Sequence, residues 1–92
     1  DEIPKYYSSP EIRIKCNNDE EKFKISNKLV DYFNQRYECN CIDGVKIIFD
    51  YGWGLIRASN TQPVLVCRYE ADNAKNLKKI ESIIMKKINS YL

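Results

Sequence analysis

The stretch GWGLIRASNTQPVLVCRYEA, Gly52 to Ala71, decides the fold. Its two ends read as β-strands. Trp53, Leu55 and Arg57 fall on one face of the first, with Gly54, Ile56 and Ala58 on the other, a strand's period of two. Val64 to Tyr69 is almost continuously apolar, as expected of an inner strand covered on much of both faces. The RASNTQP segment between them concentrates short polar donors. Arg57 offers a planar fork of N–H groups, Ser59 and Thr61 offer hydroxyls, and Asn60 offers an amide NH₂. Pro63 has a fixed φ and no N–H, which stiffens the point where the loop rejoins the sheet. Phosphate wants several such donors converging on one point. An ordinary turn uses the same vocabulary, since Ser, Asn and Thr are common turn residues. No glycine lies between Arg57 and Pro63, and no helix begins directly after them. Side chains rather than a helix N-terminus must therefore do most of any binding.

Working outward, Val45, Ile47 and Phe49 alternate with Lys46 and Asp50, and Asp50-Tyr51-Gly52 makes a tight hairpin in which Gly52 is free to take positive φ. ECNCIDG, residues 38–44, is a loop in which Asp43-Gly44 supplies turn chemistry. NNDEEKFKISNKLVDYFNQRY before it is a helix. Asn18 or Asp19 can cap it, Glu21 lies three after Asn18 as a capping box requires, and Asp19, Glu20 and Glu21 suit its positive end. Phe23, Leu29, Val30, Phe33 and Tyr37 are its expected core-facing stripe. Ile12, Ile14 and Cys16 alternate with Glu11, Arg13 and Lys15, a strand with one wet face. Residues 1–10 lack periodicity, carry two prolines and read as an arm or hinge remnant, which leaves 11–92 as the domain. A second helix, capped by Asn73 or Asp72, buries Leu77, Ile80, Ile84, Ile88 and Tyr91. Its Lys75, Lys78, Lys79, Lys86 and Lys87 lie mostly elsewhere, as on a solvated face. The order is β-α-β-β-β-α: an α+β domain with a four-stranded, mostly antiparallel sheet packed with two helices.

Bulk properties narrow the function. The 92 residues suffice for one small core. A net charge of +2 is too small to imply nucleic acid by itself, and no apolar run approaches the roughly 20 residues of a membrane span. The chain starts at Asp1 and its one methionine is Met85, so it is expected to be processed or cut from a longer protein. It has four cysteines and no histidine. Cys39 and Cys41 are one residue apart, not the C-x-x-C spacing of a zinc site, and reduced thiols in a cytoplasmic protein are expected. Without histidine there is no Ser/His/Asp or Cys/His set, and no aspartates stand at metal-binding spacing. A binding domain is expected rather than an enzyme. Two alternatives stand beside a phosphate binder: a nucleic-acid module using Trp53, Tyr69 and the Lys-rich helix, and a docking domain whose loop is only a turn.

DGVKIIFDYGWGLIRASNTQPVLVCRYEA, Asp43 to Ala71, closely resembles the last domain of the phosphomannomutase/phosphoglucomutase family, the α-D-phosphohexomutases, with its G-W-G-L-x-R-x-S-N-T-x-P-x-L-x-x-R-x-E-A pattern. YYSSPEIRIKC, Tyr6 to Cys16, resembles that family's hinge and first strand, with Ser9 where threonine is frequent. The resemblance implies a TATA-box-binding-protein-like fold within a four-domain enzyme built around a deep cleft. Such enzymes interconvert hexose 1-phosphate and hexose 6-phosphate through the 1,6-bisphosphate. A phosphoserine in the first domain transfers the phosphoryl group, an aspartate motif in the second holds magnesium, the third recognises the sugar, and the fourth binds phosphate. Carried onto this chain, phosphate binding falls to Arg57, Ser59, Asn60 and Thr61, and Arg68 matches a further arginine of the pattern. The implied partners are the phosphosugar and the other three domains, with no nucleic acid and no membrane. No cofactor is expected in this domain. Nothing here resembles the phosphoserine, metal or sugar loops, so the chain is expected to be inactive alone.

Overall fold

The structure, a computed structural model, describes residues 7–41 and 44–92. Residues 1–6 of the expected arm and Asp43 of the expected turn lie outside the described residues. The elements are β1 (Tyr7–Ser8), β2 (Ile12–Lys15), α1 (Asp19–Arg36), β3 (Glu38–Asn40), β4 (Val45–Phe49), β5 (Gly52–Ala58), β6 (Val64–Ala71) and α2 (Ala74–Tyr91). The α+β class and the antiparallel sheet with two helices are as expected. Two short strands join the four expected ones. β1 comes from the arm and β3 from the ECNCIDG segment read as a loop. Strand order is β1-β6-β5-β4-β3, with β2 also paired to β6, and every pairing is antiparallel. β6 is therefore the inner strand, which explains its nearly unbroken apolar run.

Both helices are started by asparagine. Asn18 Oδ1 accepts from Glu21 N at 2.8 Å, and Glu21 Oε1 accepts from Asn17 N at 2.6 Å, a reciprocal pair one residue earlier than a strict capping box. Asn73 Oδ1 accepts from Asn76 N at 2.7 Å. Ile25, Leu29 and Phe33 of α1 and Ile80, Ile84 and Ile88 of α2 pack on the inward side chains of Val45, Ile47, Ile56, Leu65, Cys67, Tyr69 and Ala71. Both helices thus cover one sheet face and leave the other open.

Phe23 is not in that core; it is 51% exposed. The inward stripe of α1 is Lys22, Ile25, Leu29 and Phe33, a helical phase that turns position 23 outward. Tyr37 caps the helix and joins Phe33 and Phe49 through ring contacts of 5.8 and 5.3 Å. Gly52 also departs from expectation. Among the described residues only Gly44 has positive φ, at 85°. The Asp50-Tyr51 hairpin keeps negative φ and is tied to β6 by Asp72 N donating to Tyr51 O at 3.0 Å. Gly52 is needed for closeness, because a Cβ there would collide with the Glu70 carbonyl and sit 2.8 Å from Ala71 Cα. Gly54 plays the same part toward α2: its Cβ would run into Ile84 Cδ1 and lie 3.2 Å from Ile80 Cγ2.

Ser9 secures the chain across the Pro10 break. Its N–H donates to Tyr69 O and its hydroxyl accepts from Tyr69 N, both at 2.9 Å, so the hydroxyl stands in for a missing main-chain carbonyl. All four cysteines are free thiols.

Gly54→Ala is expected to lower the unfolding free energy by about 1–3 kcal/mol through overpacking at the β5–α2 contact, measured by urea denaturation. A stability equal to that of the unsubstituted chain would show that α2 does not rest on the Gly54 backbone.

Candidate functional site

Strand register puts the two arginines together. Arg57 lies opposite Val66 and Leu55 opposite Arg68 on the β5–β6 ladder. Arg57 and Arg68 are therefore diagonal neighbours on the open face, about 7–8 Å apart at that spacing. They line a hollow of about 460 Å³ with Lys46, Asn40, Glu11, Leu55 and Val66. Three cations thus face one acid. Lys46 also lies over the Trp53 ring, 4.7 Å from its centroid. The Glu11–Arg13 pair at 3.8 Å is half exposed and contributes little. Lys46, Asn40 and Glu11 were not singled out in the sequence, because only cross-strand register brings them to Arg57 and Arg68.

The loop that follows Arg57 is held from inside. Ser59 N donates to Val64 O at 3.0 Å, Val64 N to Gln62 O at 2.8 Å, and Cys16 N to Pro63 O at 2.7 Å. Ser59 Oγ accepts from Thr61 N and Gln62 N, each at 3.3 Å. These bonds occupy the acceptor positions of the hydroxyl and leave its proton to donate elsewhere. Ser59 is 8% exposed, whereas Asn60, Thr61, Gln62 and Pro63 are exposed. Of the five residues expected to bind phosphate, Arg57 and Arg68 share the hollow. Ser59 organises the loop beside it, and Asn60 and Thr61 stand at the loop's exposed tip.

Lys22 was missed by the sequence reading. It is 2% exposed. Its Nζ donates to Ser59 O at 2.6 Å and Gln62 O at 3.1 Å, and it lies 3.2 Å from Asp19 Oδ1. Three N–H donors meet three acceptors, the condition for burying an ammonium group. The one available signal was its phase, since position 22 shares a helix face with 25, 29 and 33.

Beneath the open face the titratable groups are locked. Burial pushes the Cys67 thiol up to about 12 and the Tyr69 hydroxyl still further. Among the described residues Tyr69 Oη has no nitrogen or oxygen partner, and the Cys67 thiol is its polar neighbour. Both groups therefore stay protonated near neutral pH. Among the described residues, no group of three His, Cys, Asp or Glu side chains could hold a metal ion. What the surface offers is a set of fixed cations and donors suited to an anion.

The chain belongs to the phosphoglucomutase/phosphomannomutase family. The family described as "Phosphoglucomutase/phosphomannomutase, C-terminal domain" matches residues 11–87. The phosphomannomutase/phosphoglucomutase of Pseudomonas putida is 44% identical over 82 residues, which is 88% of this chain and 18% of the relative. That of Pseudomonas aeruginosa is 39% identical over 89 residues, 96% of this chain and 19% of the relative. A solved phosphoglucomutase/phosphomannomutase family protein from Burkholderia thailandensis superposes with a TM-score of 0.78 at 29% identity, covering 96% of this chain and 18% of that one. The chain thus spans about a fifth of the length of these relatives.

Cys67 has a folded-state value raised above the ordinary 9.0, so its contribution to stability is full below about pH 9 and is lost as pH rises toward 12. At pH 8 a thiol reagent should label exposed Cys41 first and Cys67 only on unfolding, followed by mass spectrometry. Labelling of both at one rate in the folded chain would contradict this burial.

Proposed function

We propose that this chain is the phosphate-gripping domain of a phosphohexomutase and that it holds the phosphate of the sugar that is not reacting. The observation that carries this is the pairing of Arg57 and Arg68 in one hollow beside a loop whose Ser59, Gln62 and Pro63 carbonyls are all engaged within the fold. An anion approaching the loop then meets N–H and O–H groups on a frame whose ordering cost is already met. Family membership supports the assignment and supplies the reaction, interconversion of hexose 1-phosphate and hexose 6-phosphate.

In the full-length enzyme the grip is a remote one. Binding energy from the distal phosphate drives closure and orients the reacting hydroxyl toward a phosphoserine outside this chain. The arm of residues 1–10 acts as part of the hinge that carries the domain inward, with Tyr7, Ser8 and Ser9 anchoring it to β6. The bisphosphate intermediate must turn over, so the site accepts phosphate borne on either C1 or C6. Donors aimed at phosphate oxygens meet that requirement better than contacts to the ring. Magnesium belongs to another domain, the isolated chain does not catalyse, and the setting is the cytoplasm, in keeping with four free thiols. The nucleic-acid alternative loses a stacking residue, because Tyr69 is 1% exposed.

Each charged hydrogen bond contributes roughly 1.5–3 kcal/mol while association costs several, so the isolated chain should bind glucose 1-phosphate at millimolar strength or weaker. Arg57→Ala should weaken that binding by about tenfold or more in a titration followed by amide shifts. Perturbation centred on the α2 lysines instead of residues 57–62 and Arg68 would refute the assignment.

A further inference from the structure

Lys22 is an odd occupant of its position. The other inward residues of α1 are Ile25, Leu29 and Phe33, and packing alone would be served equally well by a methionine. Burying an ammonium group is expensive, and a buried ion with all its bonds made gains little stability over a well-packed apolar residue. What an apolar residue cannot do here is donate to two carbonyls of the loop that bracket Asn60 and Thr61. Those carbonyls, with that of Pro63, are loop acceptors that the fold engages from within. A peptide unit free to rotate would turn such an oxygen toward an incoming anion and repel it. Cys16 N restrains the Pro63 carbonyl, Val64 N and the Lys22 ammonium together restrain that of Gln62, and the Lys22 ammonium restrains that of Ser59. The Ser59 carbonyl belongs to the same residue whose hydroxyl organises the amides of Thr61 and Gln62, so one clamp orients both sides of the turn.

We propose that Lys22 is a positioning residue for anion recognition: it touches no ligand, but it holds the Ser59 and Gln62 carbonyls inward, so that neither oxygen faces an anion at the 57–62 loop. This rests on the phosphate reading above. It assigns to α1, on the covered side of the sheet, a part in binding on the loop side. Asp19, 3.2 Å from the ammonium and 70% exposed, completes the set of acceptors from solvent's edge and anchors the clamp to the helix.

The test is a titration of the chain with inorganic phosphate, in a chloride background of constant ionic strength, followed by amide shifts well below the melting temperature. In the unsubstituted chain, phosphate should shift amides at 57–62. Lys22→Met should weaken that binding by about tenfold or more. The β4 and β5 amides should keep their positions, which separates a lost clamp from a lost fold. Thr61 and Gln62 amides should also exchange faster with solvent in the variant. If Lys22→Met does not fold, Lys22→Leu answers the same question, since it too fills the inward position without any donor. A variant that binds phosphate as the unsubstituted chain does would overturn the positioning role and leave the phosphate reading intact. Absence of any phosphate-dependent shift at 57–62 in the unsubstituted chain would overturn the phosphate reading and the role of Lys22 together.

Discussion

One ammonium group ties the covered side of this domain to its polar loop. Lys22 reaches from the second turn of α1 to the carbonyls of Ser59 and Gln62, with Asp19 as its third acceptor. Two unrelated requirements meet there. The helix needs its inward stripe filled, and the loop needs its acceptors satisfied because they are withdrawn from water. A lysine serves both, since its methylene stem packs among apolar residues while its head bonds to main-chain oxygen. The loop's shape then follows from the fold beneath it, which is why a segment without glycine or its own helix can stay ordered.

The sheet separates stability from recognition by the parity of its strands. On β6, Leu65, Cys67, Tyr69 and Ala71 go to the core, while Val66 and Arg68 go to the open face. On β5, Ile56 goes inward and Leu55 and Arg57 outward. Arg68 therefore sits between fully buried Cys67 and Tyr69, and Arg57 between fully buried Ile56 and partly buried Ala58, so both backbones are fixed by the core. Gly52 and Gly54 let β5 approach β6 and α2 closely on either side of Trp53. Even a one-residue slip in this pairing would exchange the cations with the core, so register and charge placement are one constraint.

Much of this was legible in the sequence, and what was not has identifiable physical causes. Period-two alternation at 12–16, 45–49 and 53–58 named three strands, and the isoleucines at 80, 84 and 88 named the buried face of α2. α1 was blurred because its inward stripe contains a lysine while Phe23 beside it imitates a core residue. β1 and β3 are two and three residues long, too short to carry a period, and exist through pairing with β6 and β4. Gly52 was assigned to a positive φ because tight turns and close packing leave the same mark in sequence. Arg57 and Arg68 were found by pattern, and strand parity put Arg57 on one face with Trp53 and Leu55 without saying which face is open. Lys46, Asn40 and Glu11 enter the hollow through pairing between distant segments, and the Lys22 contacts span 37 and 40 residues. No local signal reports separations of that size.

The claim that everything else uses is that the 59–62 segment is ordered before any anion arrives. Backbone ¹⁵N order parameters of the anion-free chain measure this directly. Values of about 0.85 at residues 59–62 and 64, matching β5 and β6, are the predicted result. Values below about 0.6 there, beside a rigid sheet, would contradict a loop held from within by Lys22.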